Sequence, residues 1–208
     1  MKPIKSLLAL AVAFGAFSVA APSTAEAQPG YYQAPPARLP GGFHDRTGRV
    51  AFGFQLGLGY MKDDFGDIEC NNCNSVAVGV SGHIGGFLSP RFALLFELQA
   101  NAQTIEQGYF SDEDVFLTQT LAMVAAQYWV TPQLWLKGGI GIANLQLSDS
   151  YESFDIDNGM GLMGGVGFEL FSARHFSIDL QGRLVNGSYE GIENNITAGT
   201  IGVGVNWF

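Results

Sequence analysis

The sequence predicts an all-β protein, an eight-stranded antiparallel up-and-down transmembrane β-barrel. Three observations predict it. From Val50 to Phe208, large apolar residues alternate at period two with small or polar ones, in eight stretches of roughly ten residues or more. The connections between the stretches alternate between tight turns and long acidic links. Beyond the first thirty or so residues, Gly and polar residues interrupt every apolar run before it reaches the ~20 residues of a membrane helix, so a spanning chain would cross with strands.

In the first stretch, Phe52, Phe54, Leu56, Leu58 and Tyr60 interleave with Ala51, Gly53, Gln55, Gly57 and Gly59. The second sets Val76, Val78, Val80 and Ile84 against Ala77, Gly79, Ser81, His83 and Gly85. In the third, Leu94, Phe96, Leu98, Ala100 and Ala102 oppose Glu97, Gln99, Asn101 and Gln103. The fourth, about Val115 to Val130, is more mixed but has the length. The fifth, Leu134 to Leu147, sets Leu136, Ile140 and Ile142 against Trp135, Lys137, Gly139, Gly141 and Ala143. In the sixth, Met160, Leu162, Val166, Phe168 and Leu170 oppose Gly161, Met163, Gly165, Gly167 and Glu169. The seventh sets Phe176, Ile178, Leu180 and Leu184 against Ser177, Asp179, Gln181 and Arg183. The eighth, Asn195 to Phe208, sets Ile201, Val203, Val205 and Trp207 against Thr200, Gly202, Gly204 and Asn206.

Ser89-Pro90-Arg91, Thr131-Pro132-Gln133 and Ser172-Ala173-Arg174 read as tight turns, two of them with Pro pre-set for a turn position. Residues 61–74, 105–113, 148–157 and 187–194 read as long polar loops, the first carrying Asp63, Asp64, Asp67 and Glu69. Short turns on one rim and long loops on the other suit a barrel whose short rim faces the periplasm. The loop carboxylates read as solvated tips or as a surface for a divalent cation or cation-bridged lipopolysaccharide; no loop has the spacing of an EF-hand.

Residues 1–27 read as a secretory signal: Lys2 and Lys5, an apolar run from Leu7 to Ala21, and the small-x-small site Ala25-Glu26-Ala27. Residues 28–48, rich in Pro and Gly, read as a flexible periplasmic leader, and residues 49–208 as the barrel. A signal peptide places Cys70 and Cys73 in an oxidising compartment, where the pair reads first as a local disulfide. A redox reading lacks a βαβ setting, and a zinc site would want two more ligands.

A net charge of −9 argues against nucleic acid as a partner. A soluble sandwich or lipocalin-like barrel would turn the large apolar residues inward. The opposite faces, however, hold too many Gly and Ala and too few Lys and Glu to coat a protein in water. Small residues suit instead the crowded interior of an eight-stranded barrel, and Tyr60, Phe92, Tyr128, Trp129 and Trp207 suit interfacial girdles.

These segments, turns and loops, closed by Gly204-Val205-Asn206-Trp207-Phe208, resemble the OmpA/OmpX-type outer-membrane β-barrel superfamily over about residues 49–208. The resemblance implies an outer-membrane location, lipid and lipopolysaccharide as surroundings, and a monomer that anchors, adheres or stabilises the envelope. It also implies that Trp207 and Phe208 form the aromatic signal read by the barrel-assembly machinery. Trp207 shares parity with the outward residues whereas Phe208 does not, a departure from the superfamily pattern.

Parity turns Glu97, Lys137, Glu169, Asp179 and Arg183 into the lumen, where desolvation demands pairing and where a paired interior would act as a plug. Two other classes compete with a structural or surface role. One is a small gated pore. The other is a lipid-A esterase built on His175-Phe176-Ser177, whose position beside a periplasmic turn and inward parity suit surface lipid badly. No cofactor site is expected; the glycine runs lie within strand patterns and not at strand-to-helix turns.

Overall fold

The computed structural model describes residues 42–63, 76–106, 114–148, 153–173, 175–189 and 195–208. The eight stretches form eight strands: β1 (Val50–Asp63), β2 (Ala77–Ser89), β3 (Phe92–Glu106), β4 (Asp114–Trp129), β5 (Leu134–Ser148), β6 (Ser153–Ser172), β7 (Phe176–Tyr189) and β8 (Asn195–Trp207). Each pairs antiparallel with its sequence neighbours, and β8 returns to β1 from Phe52↔Trp207 to Asp63↔Ile196, closing an up-and-down barrel with no free edge.

Burial follows the period-two pattern with the large residues outside. Leu56 is 65 % exposed and Ile142 70 %, while Gln55, Glu97, Gln119 and Gln181 are buried in the lumen. Water would not tolerate this outer face, and hydrocarbon does. The 13 residues of β2 run about 43 Å at about 3.3 Å each; at a tilt of about 40° they cover about 33 Å, more than the ~25 Å apolar band of such barrels. A soluble lipocalin-like arrangement would have the opposite polarity.

The short-turn rim carries aromatics on the outer face. Trp207 stacks on Phe52, with centroids 5.1 Å apart and planes 7° from parallel, and Phe171 meets Phe176 at 5.3 Å. Tyr60 and Tyr128 also face outward. Trp129, expected in this girdle, points into the lumen and is 4 % exposed, because it shares parity with the inward residues Met123, Ala125 and Gln127. At the β4–β5 turn the Thr131 hydroxyl accepts the N–H groups of Gln133 (3.3 Å) and Leu134 (2.9 Å), which is the turn chemistry its sequence announces.

β6 begins at Ser153 and β7 runs to Tyr189, so part of each flanking link read as loop is strand. Three register shifts interrupt the ladders, at Phe87/Ser89, Leu145/Gln146 and Glu169/Phe171. The last leaves both Leu170 and Phe171 on the lipid face and adds a bend beside Glu169.

Candidate functional site in the barrel interior

The lumen is filled with side chains at three levels. At the short-turn mouth, residues 42–49 fold back over the opening. Gly48, with φ at 74°, turns the chain into β1 in a conformation that favours glycine, and its N–H donates to the Phe87 carbonyl at 2.9 Å. Outside the barrel wall, Asp45 accepts the Thr47 N–H at 3.1 Å, and this bond is the main cause that holds its carboxyl below the usual value.

Arg46 then enters the mouth and is 3 % exposed. It donates through Nη1 to Glu169 Oε1 (2.9 Å) and through Nη2 to Glu169 Oε2 (3.0 Å) and Ser172 Oγ (3.1 Å). Its guanidinium lies 4.0 Å from the Phe208 ring centre, 5.3 Å from that of Trp129 and 5.7 Å from that of Phe87. The indole N–H of Trp129 donates to the same carboxylate at 2.8 Å. The forked ion pair satisfies the carboxylate, and aromatic faces lie against the guanidinium, whose Nε has no hydrogen-bond partner among the described residues.

In the middle layer, Glu97 accepts from Lys137 Nζ at 3.0 Å and from Arg183 Nη1. Arg183 also donates to Ser81 Oγ (2.8 Å) and to Gln181 Oε1, and Gln181 donates to Asp179 Oδ1 at 2.6 Å. Asp179 further accepts from Trp135 Nε1 (3.1 Å) and Asn206 Nδ2 (2.9 Å). His83 faces the lumen directly across the β2–β3 pairing from Glu97.

Near the long-loop end, Gln99 donates to Asn101 Oδ1 (3.1 Å), Asn101 to Gln119 Oε1 (3.4 Å), and Gln119 to Tyr189 Oη (3.1 Å). Leu121, Leu145, Val185 and Ile196 fill the space around this chain.

Large side chains fit because inward glycines lie beneath them. A Cβ added at Gly167 would sit inside the Trp135 indole. Gly167→Ala is therefore expected to lower stability by about 1–3 kcal/mol through overpacking, read as a lower midpoint of denaturant unfolding in lipid vesicles.

No protein-family model matches the chain, and no curated protein matches it in sequence. Solved structures do match it. One is Ail, the attachment invasion locus protein of Yersinia pestis, with TM-score 0.53, 11 % identity, 77 % of this chain covered and 99 % of that one. Ail in complex with the heparin analogue sucrose octasulfate gives TM-score 0.52 and 12 % identity over 77 % and 99 % of the two chains. The N-terminal β-barrel domain of Pseudomonas aeruginosa OprF aligns at TM-score 0.40 and 16 % identity over 78 % of this chain and 99 % of that one. The fold is that of the small outer-membrane β-barrels.

Set in that barrel, the residues singled out from parity separate into two groups. Glu97, Lys137 and Arg183 meet directly, and Asp179 joins them through Gln181. Glu169 does not join them; it belongs to the mouth layer with Arg46. The leader reading of residues 28–48 is corrected at its end, because Phe43 (6 % exposed) and Arg46 are packed in place, the former beneath Arg91 at 3.9 Å.

Phe208 is the other partner the pattern did not place. It turns off the lipid face and packs edge-on against Phe87 at 5.5 Å, while Trp207 stays outside. Ser177 is fully buried and accepts from Asn206 at 3.4 Å, whereas His175 is exposed at the rim. Cys70, Cys73 and residues 1–27 lie outside the described residues.

Proposed function

We propose that the protein is an outer-membrane barrel that acts as an anchor or surface-interaction element of the cell envelope, with no open channel and no catalytic site. The observation that carries the reading is the filled lumen, in which charge pairs, long amides and aromatic rings occupy three successive levels. Eight strands leave little bore to begin with. The apolar outer face supports a membrane location, and the barrel fold supports the outer membrane.

In this reading the short turns and residues 42–49 face the periplasm, the long links face outward, and the barrel is a monomer surrounded by lipid and lipopolysaccharide after delivery by the barrel-assembly machinery. The acidic links, with Asp63, Asp64, Asp67 and Glu69 in the first, fit a cationic or cation-bridged surface better than a sulfated polyanion of the kind bound to Ail. The burial of Ser177 away from lipid speaks against an esterase.

Fractionation and planar-bilayer recording test this. The protein is expected in the outer-membrane fraction, migrating faster in gels before heating than after, and to give no stepwise conductance when purified and reconstituted. Recovery in the soluble fraction, or reproducible single-channel steps, would overturn it.

A further inference from the structure

We infer that the lumen contains a binding site for ordered water between Gln55 of β1, Gln99 of β3 and Thr200 of β8, and that this water joins two hydrogen-bonded chains of side chains into one. Gln55, Gln99 and Thr200 are 6 %, 3 % and 4 % exposed. Gln55 Nε2, Gln99 Oε1 and Thr200 Oγ1 are fully buried and have no hydrogen-bond partner among the described residues. A buried amide or hydroxyl left without a partner costs about 1–3 kcal/mol, and buried water is the usual partner where protein groups do not reach.

The three atoms are not scattered. Gln55 pairs with Ser81 across β1–β2, and Ser81 pairs with Gln99 across β2–β3, so the two amides flank Ser81 on one transverse row. At a strand spacing of about 4.8 Å, the backbones of Gln55 and Gln99 are about 10 Å apart, a gap their side chains and one or two waters can span. Thr200 reaches the same wall from β8. A Cβ added at Gly79, next along β2, would meet the Thr200 methyl at 2.7 Å and Asn101 Oδ1 at 3.0 Å.

Two of the orphan atoms sit at the ends of chains. Tyr189, Gln119, Asn101 and Gln99 form one chain, which stops at Gln99 Oε1. Gln55 Oε1 accepts from Ser81 Oγ (3.2 Å), Ser81 Oγ accepts from Arg183, and Arg183 leads on to Glu97, Lys137, Gln181 and Asp179. That second chain stops at Gln55 Nε2. One end offers a donor and the other an acceptor, and Thr200 adds a hydroxyl able to do either. Water both donates and accepts, so it satisfies all three. A bare cation would leave the Gln55 N–H unmet and would lie near Arg183, and an anion would face Gln99 Oε1.

The test is water-to-protein cross-relaxation by NMR on the refolded full barrel in lipid nanodiscs, with the Gln55 side-chain amide and Thr200 labelled. The expected result is a cross-peak between water and the Gln55 Nε2 protons carrying the sign of a long-lived bound molecule, unchanged when sodium is exchanged for potassium. It should fall to background in the variant Gln99→Met, which removes the unpartnered acceptor, keeps the Gln55 amide that is read, and should remain folded by gel mobility. An assigned Gln55 amide with no bound-water cross-peak in the wild-type protein would overturn the site, and that measurement stands whether or not the variant folds. A shift that follows the identity of the cation would overturn water as the occupant.

Discussion

Glu97→Leu is expected to destabilise the barrel by about 3–5 kcal/mol, the cost of removing one partner from a buried charge group. Glu97 is fully buried and is the carboxylate to which both Lys137 and Arg183 donate. Without it, the buried Lys137 loses its ion-pair partner, and Arg183 keeps only Ser81 and Gln181. Lys137→Met should cost markedly less, since Glu97 would still be matched by Arg183. The double variant Glu97→Leu/Lys137→Met should regain part of the loss, because the unmatched ammonium is gone. Reversible urea unfolding in lipid vesicles, followed by tryptophan fluorescence and gel mobility, gives the three values. Equal stability of Glu97→Leu and wild type would mean that the two cations are neutralised by some other group.

Leu98→Arg is expected to lower stability by about 2–4 kcal/mol, and Val130→Arg, at the rim, by no more than about 1 kcal/mol. Both side chains are exposed, Leu98 at 51 % and Val130 at 43 %. In water these exposures predict two harmless substitutions. In a bilayer depth separates them. Leu98 is in mid-strand, flanked by Gly82 and Ala122, so an arginine there has no acid beside it and little polar surface within reach. At Val130 the guanidinium reaches the headgroup region. The same unfolding assay in vesicles measures both, and equal small effects would contradict a hydrocarbon surrounding.

Strand parity was legible because lipid outside and close packing inside impose opposite demands on successive residues, and eight stretches repeat the answer. The fourth stretch is the least regular, and there residue type points Trp129 to the outer face while the chain buries it. An indole suits both an interfacial girdle and an interior where its N–H finds Glu169, so residue type alone does not separate them. The start of β6 was hidden because Ser153, Asp155 and Asp157 are as polar as a loop.

Arg46 was missed because Pro and Gly dominate the residues before it. A trace of it was nevertheless present in the charge count. Among the described residues the strands bury three carboxylates, Glu97, Glu169 and Asp179, against two cations, Lys137 and Arg183. Buried charges seek balance, so the excess acid called for a cation from outside the strands, and Arg46 is that cation.

The closing pairing of β1 with β8 also bears on how the barrel can form. Every other ladder joins sequence neighbours, so seven hairpin contacts can zip up one after another, each closing only the link between adjacent strands. The eighth joins Phe52 to Trp207 across nearly the whole barrel sequence and must wait until the curved sheet brings its two borders together. The contact of Arg46 with Phe208 lies at this same border and gains its full set of partners only then. It therefore belongs to the last step of folding, and weakening it should speed opening of the finished barrel more than it slows formation of the sheet.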